Sequence, residues 1–469
     1  MNDLYIWEEI GLQKKDLKLK KTYLQIQFNQ KNKKVKYIKN GEILRQYIDE
    51  NVGEQQNKLS LKHNNIINLE HLKYLTWKCQ LKNDERELHI AYWDGRPLIV
   101  GGFYNQIGQK IEKWIELSDY FWDRCEIIHQ GYYKDGIKFG QWDTILKKQI
   151  IGGGFFDEFG KKQGKWIELH QNFQNESEVK LIGEYKDGKE LGRWDIIFKN
   201  KIIGGGQYDN DGLKVGYWIE LHENFYEYCQ VFYKGEYVNG IKNGKWDSYD
   251  KKKLIGGGFF NQNGQKDGKW IELHDDYWQF CQVTYIGEYS NGIKQSQWIS
   301  KYYLKQFGGG QYDEFGQKQG RWIDLHDNFH NGCQVTLVGE YQNNKKLSQW
   351  DIMYMEQGSN EFKKIGGGIY IENETKVGFW IELHEYFCDT YQIIYCGEYK
   401  NGCKNGNFDM KFKKQYENEY KKIGGGTFDE EGLKDGLWIE LSKHFCFYSF
   451  DTCINQYKNG VKIKIDEKQ

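Results

Sequence analysis

The chain has 469 residues with 66 basic against 67 acidic side chains, so its net charge of −1 excludes a surface drawn as a whole to nucleic acid or to an anionic membrane. Aromatics form 17% of it, beside 54 Gly and a single Pro, Pro97. That composition favours strands joined by tight turns and excludes a disordered chain, which would lack the aromatics to build a core.

Residues 1–48 read as an N-terminal β-hairpin cap region, because VKYIK and EILRQY flank Asn40-Gly41. Residues 14–39 hold ten Lys and one acid, Asp16. They are either the solvated edge of the first strands or a contact for an anionic partner. Residues 49–74, opening with DENVGEQQN, read as a linker. The first residues, MNDLYIWEEI, lack a basic-then-apolar leader pattern. No run approaches the ~18 apolar residues of a membrane-spanning helix. The ten Cys are therefore expected as reduced thiols in a cytoplasmic protein.

From residue 75 to 469 the sequence repeats. Trp114, Trp166, Trp218, Trp270 and Trp322 are 52 residues apart, and Trp380 and Trp438 follow at steps of 58. A second series trails each by 28: Trp142, Trp194, Trp246, Trp298, Trp350, then Phe408. The six added residues fall at 351–365 and 409–423, which marks a loop there. Seven units of 52 or 58 residues result, the last truncated, with Asp466 where its second Trp would stand.

Each unit has two halves, one like GGGFFDEFGKKQGKWIELH (152–170) and one like VFYKGEYVNGIKNGKWD (231–247). Asp187-Gly188, Asn239-Gly240, Asn291-Gly292 and Asn401-Gly402 are hairpin turns, since both residues tolerate positive φ. Four antiparallel strands per unit follow. After each glycine run one position varies (Phe155, Gln207, Phe259, Gln311, Ile369, Thr427) and the next is always aromatic (Phe156, Tyr208, Phe260, Tyr312, Tyr370, Phe428). The first is expected wet and the second packed. The first and third glycines share the packed side and leave a slot for a Trp ring from a neighbouring strand. The Ile and Leu of WIELH form a second buried row. Four residues before each Trp stands Lys110, Lys162, Lys214, Lys266, Lys318, Lys376 or Lys434. Two after it stands Glu116, Glu168, Glu220, Glu272, Asp324, Glu382 or Glu440. They are expected either to pair once per unit or to leave the carboxylate accepting from turn amides.

YKGEYVNGIKNGKW (233–246) and YCGEYKNGCKNGNF (395–408) resemble the MORN repeat (membrane occupation and recognition nexus), and the IGGG…WIELH halves resemble the MORN-variant repeats of large ciliate families. The resemblance covers residues 75–469. It implies an all-β chain of tandem antiparallel hairpins in an elongated sheet or solenoid. It also implies a non-catalytic protein-interaction scaffold, cytoskeletal or peripheral to a membrane. Trp or Phe in place of the motif's final Gly, and the 52-residue unit, depart from the family's pattern.

Chemistry-bearing columns repeat with the units, and a catalytic group is needed once. His170, His222, His274, His326 and His384 recur four strands apart, roughly 19 Å at ~4.8 Å per strand, too far to share a metal. Cys125, Cys229, Cys281 and Cys333 share a column with Ser177, Tyr391 and Ser449, so no disulfide is expected. Cys396 and Cys403 flank a hairpin turn, where a zinc site is the less favoured reading. The GGG runs lack the Gly-Lys-Ser/Thr of a phosphate loop, and no acidic pair stands out as occurring once. No cofactor, metal or nucleic acid is expected, and protein partners are. The alternatives are a phospholipid-binding module and a seven-bladed β-propeller with a small-ligand or enzymatic site.

Overall fold

The computed structural model describes residues 4–15, 18–48, 68–81, 86–171, 173, 177–415, 417–442 and 451–466. The predicted linker at 49–67 and Ser449 lie outside them. The chain is all-β: each strand of the repeat pairs antiparallel with the next in sequence. It divides into two compact units. The first comprises Met1–Tyr37, Leu44–Ile255 and Gln262–Gly264; the second comprises Ile38–Ile43, Gly256–Asn261 and Gln265–Gln469.

In the first unit, β1 (Leu4–Lys15), β2 (Lys18–Asn29) and the start of β3 (Lys34–Lys39) lie side by side. Their core is Trp7, Leu24, Ile26, Phe28, Val35 and Tyr37, joined by Leu69 and Leu72. The two leucines belong to a helix, α1 (Leu69–Tyr74), which corrects the expectation of linker as far as residue 74. Six residues are too few to display a helical period. Tertiary contacts hold this helix. The Asn68 side chain accepts from Glu70 N–H and donates to the carbonyls of Asp119 and Phe121, while Arg45 donates to the carbonyls of His71 and Leu72.

The hairpin turns adopt the conformation that the Asn-Gly pairs require. Asn239 and Gly240 have φ of 50° and 78°, Asn291 and Gly292 48° and 83°. Both positive values give the primed turn whose twist suits antiparallel strands. The glycine runs divide their labour. A methyl on the third, Gly154, would lie 2.3 Å from the Trp166 ring; on the second, Gly153 (φ 123°), 2.1 Å from the Trp142 carbonyl oxygen. On the first, Gly152, it would meet the Ile167 carbonyl oxygen at 2.6 Å. Only the third makes the slot, because the strand bulges between Gly153 and Phe155 and the simple alternation stops there.

Ring-on-glycine contacts recur at thirteen glycines among the described residues, from Gly102 under Trp114 to Gly426 under Trp438. The second Trp series uses the Gly of the GEY segment: Gly183 under Trp194, Gly287 under Trp298, and Gly397 under Phe408. Between the indoles stand the constant aromatics. In the first unit an edge-to-face file runs Tyr104, Trp114, Tyr133, Trp142, Phe156, Trp166, Tyr185, Trp194, with neighbouring centroids 5.0–6.2 Å apart. That is the favoured geometry for aromatic quadrupoles. The variable positions are exposed, as at Phe155 (47%) and Phe259 (52%).

One expectation needs correction. The Leu of WIELH joins buried clusters, as Leu169 and Leu221 do, and so does the Ile at Ile115 and Ile381, but the row opens to solvent at Ile271 (38% exposed) and Ile439 (41%). Contacts between neighbouring loops join residues at different positions of the repeat. Cys125 Sγ donates to the Phe173 carbonyl (3.4 Å), Ser177 Oγ to that of Phe225 (2.7 Å) and Cys281 Sγ to that of Phe329 (3.0 Å). Successive loops therefore touch.

Candidate functional site

The Lys and carboxylate columns meet. Lys110 Nζ is 2.5 Å from Glu116, Lys214 2.5 Å from Glu220 and Lys318 2.7 Å from Asp324; Lys162–Glu168, Lys266–Glu272, Lys376–Glu382 and Lys434–Glu440 pair in the same way. Two residues six apart on one strand can meet because the second residue after the Lys is left-handed, as at Gly268 (φ 70°) and Glu112 (φ 60°), and lets the side chain fold back over the Trp. Lys266 Nζ lies 4.7 Å from the Trp270 ring centre and Lys110 4.5 Å from that of Trp114. A Tyr from the next strand donates to every one of these carboxylates at 2.7–3.0 Å, Tyr133 to Glu116 and Tyr289 to Glu272 among them. This third partner was missed in the sequence, although the aromatic of GE[YW] was visible there.

The electrostatics follow. Burial would raise the Glu116 pKa, but hydrogen bonds and charge from Lys110 and Lys138 outweigh it and hold the group at about 2. Glu382 is held at about 2 by Lys404, Lys376 and Tyr399 against the same burial. Burial and the neighbouring carboxylates push Tyr208 and Tyr312 up to about 12. A saturated carboxylate and a retained phenol proton fix charge in place.

The histidines cap turns. Nδ1 of His222, His274, His326 and His384 accepts from the backbone N–H two residues on, at 3.0–3.2 Å. Burial lowers the pKa of His274 and takes His170 down to about 4. The neutral ring is thus the folded form. Unfolded, the ring takes up a proton near 6.5, so this contribution is full above that range and is lost as pH falls from about 6.5 towards 4. Melting temperature should drop across that window, above the window in which Glu116 and Glu382 titrate, and His170→Asn should blunt the drop. A flat melting profile from pH 7 to 4.5 would contradict it.

Among the described residues, no three His, Cys, Asp or Glu side chains converge as a metal site, and nine cysteines are free thiols. Cys396 pairs with Asp409 while Cys403 pairs with Lys400, so the two lie four residue steps, about 13 Å, apart along the ladder. A buried carboxylate stands outside the Lys-paired column. Asp389 is buried, and its Oδ1 accepts from the Tyr354 hydroxyl. Its Oδ2 and the Oε1 of Glu356 are buried without a hydrogen-bond partner. Burial raises the Asp389 pKa and the Glu356 charge adds to it. Glu356 lies in the 351–365 insertion, whose packing no repeat column reveals.

The basic segment is partly neutralised within the chain. Lys14 pairs with Asp123 (2.8 Å) and Lys21 with Glu223 (2.5 Å). In the second unit, the tip of the Asn40-Gly41 hairpin docks on the last repeat. Ile43 N–H donates to the Gly460 carbonyl, Lys434 N–H to that of Gly41, and Tyr457 to Glu42. No helix among the described residues is long and apolar enough to cross a membrane.

No family model and no curated protein matches the sequence. Among solved structures, the chain is similar to the NanB sialidase of Streptococcus pneumoniae in complex with a chlorobenzyl-ammonio-ethanesulfonate. The identity is 9% and the TM-score 0.20, over 93% of this chain and 80% of that one. A point mutant of the same sialidase gives 9% and 0.19, over 94% and 82%. Likeness at this level carries no argument about activity.

Proposed function

We propose that this protein is a non-catalytic interaction scaffold built from MORN-like hairpins, presenting an exposed β surface to protein partners. One observation carries the reading: the constant residues are consumed in the Trp, Gly, Lys, carboxylate and Tyr file, while the residues that differ between units (Phe155, Gln207, Phe259, Ile369) are exposed. A repeat that spends its invariant side chains on packing and varies its wet positions is suited to reading different surfaces. The thiol donors Cys125 and Cys281 bond to carbonyls as S–H, which suits a reducing, cytoplasmic setting. A role next to the cytoskeleton or a membrane belongs to the same reading.

The test is proximity labelling in cells with the full chain against a variant carrying Phe155→Ser, Phe259→Ser and Ile369→Ser. A distinct set of labelled proteins that shrinks in the variant, at unchanged melting temperature, is the expected result. An identical set in both sinks the reading, and co-sedimentation with phosphatidylserine vesicles at physiological salt would replace it with lipid binding.

A further inference from the structure

We propose that the loop edge of the second unit, formed by residues 274–281, 326–333 and 384–391, docks a lysine-rich extended segment of a partner protein. This rests on the scaffold reading and names the partner's chemistry.

The three loops make one strip. Asn331 N–H donates to the Phe280 carbonyl (2.8 Å), Asp389 N–H to that of Gly332 (2.8 Å), and Asn328 Nδ2 to that of Glu385 (3.1 Å). The strip carries Asp275, Asp276, Asp327 and Glu385 beside the buried Asp389, and contains no Lys or Arg. Asp275 and Asp327 are exposed. Asp275 and Asp276 from one loop and Asp327 from the next all act on the His274 ring, so carboxylates from neighbouring loops bear on one point.

Apolar side chains stand beside these charges. Phe280 is 43%, Tyr303 53% and Leu304 94% exposed. The Tyr303 hydroxyl donates to the Gln279 carbonyl, which holds this turn against the strip. The equivalent turns of the earlier repeats carry Lys147-Lys148, Lys199-Asn200 and Lys251-Lys252. Exposed apolar groups among acids cost solvation unless something covers them.

The first unit displays what covers such an edge. Its loops carry Asp123 and Glu223, and the chain's own Lys-rich strands lie on them. Lys14 meets Asp123, Lys21 meets Glu223, and Leu19 packs against Trp122, Cys125, Ile127 and Phe173. Lys14 also stands 5.6 Å over the Trp122 ring, which is 3% exposed. Asp275 is Glu223 one period of 52 residues later, Asp327 is the next, and Trp278 is Trp122 three periods later. The edge of the second unit therefore repeats the Glu223 and Trp122 positions that the basic strands meet, while the Asp123 position carries Gln279 and Asn331 there. A segment as basic as KKDLKLKK (14–21) matches it in charge.

The probe is a fluorescent peptide of residues 10–29, titrated by anisotropy into the full chain, whose own N-terminal hairpin stays in place. Saturable, salt-sensitive binding is expected. It should weaken at least ten-fold in Asp275→Lys with Asp327→Lys, and for a peptide with Glu at its Lys14, Lys18, Lys20 and Lys21 positions. The milder Asp275→Asn with Asp327→Asn should weaken it several-fold at an unchanged melting temperature, which separates a lost site from a lost fold. No binding by the unaltered chain, or equal binding by the neutral double variant, overturns the proposal. The scaffold reading is tested on Phe155, Phe259 and Ile369, so either can fail alone.

Discussion

Gly309→Ala should be among the most damaging single-methyl changes in this chain, costing about 3–5 kcal/mol. Two penalties combine. The backbone of Gly309 has φ of 126°, a conformation that an L residue reaches only under strain. The added methyl would also lie 2.0 Å from the Trp298 carbonyl oxygen and 2.8 Å from the Ile299 Cα, and neither backbone atom can step aside without breaking the ladder. Gly268 provides the control. Its φ is 70°, yet nothing lies within 4 Å of a methyl built there. Gly268→Ala should cost only the conformational part, about 1–2 kcal/mol. Urea titrations of both variants measure the difference. Equal midpoints would mean that the crowding at Gly309 relaxes and that the glycine run is conserved between units for some other reason.

This separation of roles within one glycine run was only half legible in the sequence. The 52-residue period, the Asn-Gly turns and the alternation of variable and aromatic positions are local patterns, and they led to strands, hairpins and the ring-on-glycine slots at Gly154 or Gly258. The bulge after the second glycine was not legible, because a run of three identical residues hides which one is strained. The pairing of Lys162 with Glu168 could be read from spacing, whereas the Tyr185 hydroxyl that completes it depends on strand register. The contact between loops at Cys125 and Phe173 joins residues 48 positions apart, beyond the reach of any local pattern. Helix α1 and the buried Asp389 bonded to Tyr354 are non-repeating features. A reading built on columns has no purchase on a residue that occurs once.

Trp270→Ala should be the comparable loss by removal, about 3–5 kcal/mol. The indole is 6% exposed and fills the slot over Gly258, with Phe260 and Tyr289 edge-on at 5.0 and 6.2 Å. Its Nε1–H donates to the Phe259 carbonyl at 3.2 Å, and its face supports the Lys266 ammonium that pairs with Glu272. Truncation removes the burial, the hydrogen bond and that platform together. No glycine side chain is present to refill the space. Trp270→Phe should cost less, about 1–2 kcal/mol, because Phe408 already occupies the corresponding slot over Gly397. The exposed Gln311→Ala should stay within about 0.5 kcal/mol of the parent. Since each hairpin of a repeat touches mainly its neighbours, hydrogen exchange in Trp270→Ala should quicken over residues 256–312 while 421–441 keep their protection. If 421–441 loosen equally, the second unit opens as one cooperative body, and the damage at one slot is shared along the whole file of rings.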